Sequence, residues 1–149
     1  MKRFFSSWYG NIIILAVFGI SAYFINVEVQ SYFGRQALEN TGLQRFTLDE
    51  AITKANAENK QVLVDVAAIW CPTCRRLDRE IFANENVRKA INEKFVFARL
   101  EYESPEGTEF LQKHNTDGFP NLWLLDNKGN AIRQLRVTFN EGEFIKQLQ

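Results

Sequence analysis

Apolar and polar positions divide the chain into two unlike parts. Residues 12–27 read IIILAVFGISAYFINV, with no charge and with Ser21 and Asn26 as the strong polar interruptions. No face of this stretch is polar, which argues against a helix half-buried in a soluble core. Its sixteen residues fall short of the roughly 20 that cross a bilayer comfortably. Counting from Trp8 gives sufficient length, with Trp8 and Tyr9 on one side and Tyr23 towards the other as interfacial anchors. Lys2 and Arg3 precede it. A cleaved signal peptide and an uncleaved signal-anchor both fit this pattern. The residues after Ile20 offer no small-residue cleavage site, which favours the anchor. The positive flank then places residues 1–11 in the cytoplasm, a transmembrane signal-anchor at 12–27, and everything after about residue 28 outside. Residues 28–45 are mixed and polar, with Gly34 and Gly42, and read as a tether that is partly helical around Ser31–Glu39.

From residue 46 the pattern becomes that of a folded α/β domain. Thr47 and Glu50 form a capping box ahead of Ala51, Ile52 and Ala55, so Thr47–Asn59 is expected to be helical. QVLVDVA (Gln61–Ala67) and FVFARL (Phe95–Leu100) are short apolar runs of the buried-strand type. Leu77, Ile81 and Phe82 recur at helical spacing over Arg75–Phe82, and Asn84 is a candidate cap for a helix carrying Val87, Ala90 and Ile91. Ser104-Pro105 opens another helix, with Phe110 and Leu111 facing inward. Asn121–Leu125 and Ala131–Leu135 flank the turn DNKG as a hairpin, and Glu141–Gln149 closes the chain as a helix. The early alternation predicts parallel strands joined by crossover helices, and the late hairpin adds an antiparallel edge.

Composition adds little beyond globularity, but it narrows the chemistry. Net charge is zero, and setting Lys2 and Arg3 aside leaves sixteen basic against eighteen acidic residues. No nucleic-acid partner is implied. The two cysteines are too few for a disulfide scaffold, and three positions apart they close a loop too small to stabilise much. Cys71 and Cys74 follow a buried strand and open a helix, as Trp70-Cys71-Pro72-Thr73-Cys74. Free N–H groups and the helix dipole there favour a thiolate at Cys71, the nucleophile of disulfide exchange. Cys71 is therefore expected to be exposed and attacking, and Cys74, one turn further in, more buried and resolving. Zinc is disfavoured because Cys71, Cys74 and His114 supply three ligands where a structural site uses four. Haem attachment needs C-x-x-C-H, and position 75 is Arg. Two inert buried cysteines stay open as an alternative. Asp65 interrupts its apolar strand. It is either a buried proton acceptor for Cys74 or a strand-end carboxylate facing solvent. His114, at the end of a helix, reads as a surface histidine favoured by the dipole.

With these motifs in hand, Phe46–Leu148 resembles the thioredoxin superfamily. The likeness is carried by VLVDVAAIWCPTC, ARLEYE and DGFPNLWLLDNKGN, and IFANENVRKAI makes it look most like the C-terminal domain of the periplasmic reductase DsbD and its small membrane-anchored relatives. The resemblance implies a thioredoxin fold over 46–149, a mixed central sheet with flanking helices behind one transmembrane helix. It implies attack by Cys71, resolution by Cys74, proton transfer by Asp65, a cis Pro120 beside the redox pair, and substrate contacts at Trp70, Phe119 and Pro120. A salt bridge from Arg99 to Asp65 is a further possibility of this likeness. Two features depart from the common pattern: Asn121 follows the proline, and Pro-Thr separates the cysteines. The expected function is a membrane-anchored dithiol reductant of exported proteins on a bacterial inner membrane, facing the periplasm. It would use no cofactor or metal, and a separate membrane protein would supply its electrons. An oxidase or isomerase, or a non-catalytic tethered binding module on the same fold, are the rival expectations.

Overall fold

The computed structural model describes residues 8–149. Lys2 and Arg3, on which the orientation of the N-terminal segment rests, lie outside the described residues. The chain begins with α1 (Trp8–Asn40) and continues α2 (Leu48–Glu58), β1 (Gln61–Ala67), α3 (Pro72–Leu77), a π-helical turn (Asp78–Phe82), α4 (Glu85–Lys94), β2 (Phe95–Glu101), α5 (Pro105–Lys113), β3 (Asn121–Leu125), β4 (Ala131–Leu135) and α6 (Glu141–Gln147).

Local chemistry sets most of these boundaries. Thr47 accepts from the Glu50 amide while the Glu50 side chain accepts from the Thr47 amide, and Asn59 ends α2 in a left-handed conformation. Asn84 caps α4, Ser104 caps α5 with Pro105 at its first position, and Asn140 caps α6. These caps take up helix-end N–H groups that would otherwise lack partners.

The sheet order is β2-β1-β3-β4. β1 and β2 are parallel, and β3 pairs antiparallel with both β1 and β4. The expected crossover and hairpin are therefore both present. β1 sits between β2 and β3 and is covered on both faces, which is why its sequence reads as a continuous apolar run. Side chains alternate across it. Val62, Val64 and Val66 pack with Ala51, Ala55 and Phe110 on one face. Leu63 packs with Leu77, Ile81, Phe82 and Phe144 on the other. Asp65 shares the parity of Leu63 and so faces the side of the sheet that α3 covers.

Two segments differ from the sequence expectation. The apolar stretch and the expected tether as far as Asn40 are one uninterrupted helix, α1, running from Trp8 to Asn40 before Gly42 turns the chain with φ of +64°. Its 33 residues are about 50 Å long, well beyond a hydrocarbon core of about 30 Å. None of the apolar window is buried, and α1 is a candidate membrane span by length and composition. Its C-terminal part buries Ser31, Gly34, Ala37 and Leu38. These small and apolar residues, spaced three or four apart, form a docking stripe, so the segment is a structured strut and not a loose tether. The second difference lies after the cysteines. The helix expected over Arg75–Phe82 begins at Pro72 and widens into a π-helical turn at Asp78. Such turns are frequent at functional sites.

Phe82 is fully buried where this turn meets the sheet, with ring centroids 5.2 Å from Phe97 and 5.7 Å from Phe144. Phe82→Ala opens a cavity among three elements and is expected to lower unfolding free energy by about 3–5 kcal/mol. Denaturant titration of the detergent-solubilised protein measures that loss.

Candidate functional site

The cysteines sit where β1 gives way to α3. Cys71 is the N-cap of α3, held by its amide donating to Ala68 O at 3.0 Å. Its Sγ accepts a hydrogen bond from the Cys74 amide at 3.1 Å, so one otherwise unpartnered helix N–H points at the sulfur. Pro72 follows at the first helical position, where a missing N–H costs nothing. Both cysteines are free thiols. The sequence expectation of an exposed Cys71 does not hold: it is 4% exposed and Cys74 1%. An aromatic rim accounts for this. Trp70, Tyr102 and Phe119 pack against the small cluster of Ala67, Ala68 and the two cysteines. The Phe119 ring centroid lies 5.3 Å from that of Trp70 and 4.6 Å from that of Tyr102, edge to face in both cases. Trp70 Nε1 also donates to Glu103 at 3.3 Å. The Phe119–Pro120 peptide is cis, the isomer that the resemblance implies.

Beneath the cysteines lies a buried charge cluster. Asp65 is fully buried, and the parallel register sets it directly opposite Arg99. Arg99 Nη1 donates to Asp65 Oδ2 at 2.5 Å and to Asp78 Oδ1 at 2.9 Å, while Nη2 reaches Asp78 Oδ2 at 3.4 Å. Asp65 Oδ1 is buried and has no hydrogen-bond partner among the described residues. Two carboxylates share one guanidinium, so the cluster carries an excess negative charge in a medium that disfavours it. Burial pushes the Asp65 carboxyl up to about 6, against the pull of Arg99 and with help from the charge of Asp78. Asp78 is also shifted upward, first by burial. For Arg99 burial acts downward, but Asp65 and Asp78 outweigh it and hold the guanidinium charged. The Cys74 thiol is pushed well above its ordinary value by burial, then by its hydrogen bond with Cys71, with Asp65 adding to the shift. Asp65 and Cys74 are thus electrostatic neighbours, one holding a free lone pair and the other a firmly bound proton. The solvent-facing alternative for Asp65 does not apply.

The structure brings together Cys71, Cys74, Asp65, Trp70 and Phe119, with Pro120 next in chain to Phe119. It leaves His114 aside. That residue is half-buried between the rings of Phe110 and Trp123, with centroids at 4.4 and 4.9 Å. Burial lowers its pKa, with a smaller push from Lys113, and the two flanking rings make it less exposed than the surface histidine expected from the sequence. Asp78 and Glu101 escaped the sequence reading. Asp78 lies four residues after Cys74, on the same helical face, and breaks the apolar stripe of Leu77, Ile81 and Phe82. Glu101 shares the strand parity of Arg99, and its Oε1 accepts from the Ile69 amide at 2.9 Å, steadying the loop before the cysteines. Burial raises its pKa.

A thioredoxin-like domain family matches residues 48–149. The chain belongs to that family. The thiol:disulfide interchange protein DsbD of Colwellia psychrerythraea is 30% identical over 94 residues, which take in 61% of this chain but 15% of that protein. The chain thus spans a small fraction of the length of this curated relative. Among solved structures, a thioredoxin from Thermus thermophilus aligns with a TM-score of 0.63 at 24% identity, over 71% of this chain and 84% of that one. The oxidised C-terminal domain of DsbD from Neisseria meningitidis aligns with a TM-score of 0.59 at 21% identity, over 70% and 96%. These two likenesses establish the fold that the thioredoxin-like domain adopts here.

The native fold favours the protonated form of Asp65, because its value lies above the ordinary carboxylate range. That contribution to stability is complete below about pH 4 and is lost as pH rises through about 6. Asp65→Asn is therefore expected to unfold at higher denaturant than the wild type at pH 7, with the gap closing towards pH 4. Equal midpoints across this range would contradict a buried, strained carboxylate.

Proposed function

We propose that this protein is a thiol–disulfide oxidoreductase that works through Cys71 and Cys74. The carrying observation is the arrangement of the pair: Cys71 Sγ at the mouth of α3 facing a helix N–H, and Cys74 buried one turn further in. The family and the relatives named above support the same chemistry. Cys71 attacks a partner disulfide once the aromatic rim parts, forming a mixed disulfide and releasing one partner thiolate. Cys74 then attacks Cys71 Sγ, forming the Cys71–Cys74 disulfide and releasing the second partner thiol. Two electrons pass to the partner. The Cys74 proton is too tightly held to leave unaided near neutral pH. Asp65 accepts it through Oδ1, acting as general base above about pH 6. Trp70, Phe119 and Pro120 border the approach. The backbone beside Pro120 is suited to pair with an extended segment of the partner.

The direction we propose is reduction of exported proteins, by a domain held at a bacterial inner membrane through α1 and facing the periplasm. The apolar, unburied first part of α1 supports the anchor, and similarity to DsbD supports the direction and compartment. A separate membrane protein would supply the electrons. The rival readings are an oxidase or isomerase and a tethered binding module without exchange chemistry.

Two measurements test this reading. The Cys71–Cys74 couple, equilibrated against glutathione, is expected between about −200 and −270 mV. A value near about −120 mV marks a strong oxidant and overturns the reductase direction. Cys74→Ser is expected to accumulate partners on Cys71 as mixed disulfides that dithiothreitol releases. Partners that bind without a covalent link would favour the binding module.

A further inference from the structure

The active-site helix lies alongside α1 in a fixed order. Trp70 and Pro72 share a cleft of about 270 Å³ with Tyr23, Asn26, Val27 and Gln30. One turn later, Arg75 Nη1 donates to Gln30 Oε1 at 2.7 Å, and its guanidinium sits 5.7 Å from the centre of the Phe33 ring. Arg79 then shares a second cleft with Gln36 and Asn40. Residue numbers climb together on both helices. The segment from Pro72 through the π-helical turn therefore runs parallel to the C-terminal half of α1, and the N-terminal end of α3, with Cys71, points back towards the apolar stretch.

This alignment has little freedom. A Cβ at Gly34 would overlap the carbonyl oxygen of Ile69, which is backbone and cannot swing aside. Glycine there lets α1 touch the loop that carries Trp70 and Cys71. α1 is unbroken between the apolar stretch and this contact, so depth in a membrane carries directly to the redox site. A helix rising about 1.5 Å per residue crosses a core of about 30 Å in about 20 residues. Counted from Trp8, the far boundary falls near Glu28, the first charged residue after Arg3. That is the level of the Trp70–Pro72 cleft.

We infer that the redox face of this domain looks onto the bilayer, with Trp70 and Pro72 resting in the lipid headgroup layer beside Tyr23. A tryptophan and a tyrosine at one level, each with an apolar ring and a polar tip, are the side chains that this layer favours. Cys71 is then offered to disulfides or dithiols carried at headgroup depth by membrane proteins. A protein diffusing in from the aqueous side meets the opposite end of the domain. The inference rests on the membrane-anchor reading proposed above and adds an orientation to it.

Lipid quenching of tryptophan fluorescence tests both separately. The full chain is reconstituted in phosphatidylcholine vesicles containing lipid nitroxide-labelled at the headgroup or near the chain end. The difference between wild type and Trp8→Phe reports Trp8, and that between Trp8→Phe and Trp8→Phe/Trp70→Phe reports Trp70. Trp8 is exposed and Trp70 is replaced by another aromatic ring, so neither change opens the core. The expected result is loss of Trp70 emission with the headgroup label and much less loss with the chain-end label. If Trp8 is quenched and Trp70 responds to neither label, the anchor stands and the orientation is overturned. If neither tryptophan is quenched, the anchor reading and this inference fall together.

Discussion

A single buried guanidinium ties the working parts of this domain together. Arg99 comes from β2, Asp65 from β1 and Asp78 from the π-helical turn, so one side chain links two neighbouring strands to the helix that carries the cysteines. Such a cluster is a weak source of net stability, because desolvating three charges offsets most of their attraction. Its effect is positional. A guanidinium with a rigid fork of donors reaches both carboxylates only if the strands keep their register and the helix keeps its rotation. The widened turn at Asp78 brings that carboxylate inward while Leu77 and Ile81 remain in the core. A slip of one residue in β1 would send Asp65 to the valine-lined face, where its buried carboxyl would have no charged partner.

The same burial that makes the cluster costly makes it reactive. In water a carboxyl titrates well below neutrality and a thiol well above it, and a proton rarely has reason to pass between them. Here the Asp65 carboxyl is raised towards neutrality, which brings it into the range of a useful base. The Cys74 thiol rises too, for the same reason, and so needs such a base. Removing the surrounding apolar shell would relax both shifts. The aromatic rim of Trp70, Tyr102 and Phe119 belongs to that shell. It keeps Cys71 covered as well, so the site must open to a partner.

α1 gives the domain a further role beyond its own chemistry. A thioredoxin-like domain on a flexible tether samples all orientations, and its partners are selected by surface complementarity alone. Here Gly34 of α1 touches the loop before the cysteines while Gln30 and Phe33 hold Arg75 of α3, so under the proposed anchoring the domain presents one end to one place. In that proposal orientation acts as part of specificity, set by helix geometry before any partner is met.

Much of this was legible in the chain because it follows from local rules. Capping residues such as Thr47, Asn84 and Ser104 mark helix starts through the N–H groups they satisfy. Alternation and apolar runs mark strands, and the placement of Cys71 and Cys74 between a strand and a helix marks the chemistry. Resemblance to a family implied the cis bond at Pro120, which a generic X–Pro pair does not announce. What the sequence left undecided depends on contacts between residues far apart in the chain. The exposure of Cys71 turned on Phe119 and Tyr102 folding over it. The partner of Arg99 turned on register, and the second partner, Asp78, on a widened helical turn that no local pattern signals. His114 became a half-buried ring between two aromatic residues because Trp123 arrives from β3. Residues 28–45 looked like a tether because their polar and small residues lack a strong apolar face. Those up to Asn40 proved to be the docked end of a single helix, since a stripe as slight as Ser31, Gly34 and Ala37 acquires meaning only when another backbone lies close enough to fill it. Periodicity and capping act within a few residues and are written in the chain, whereas burial, charge pairing and orientation are properties of neighbours that only the folded chain supplies.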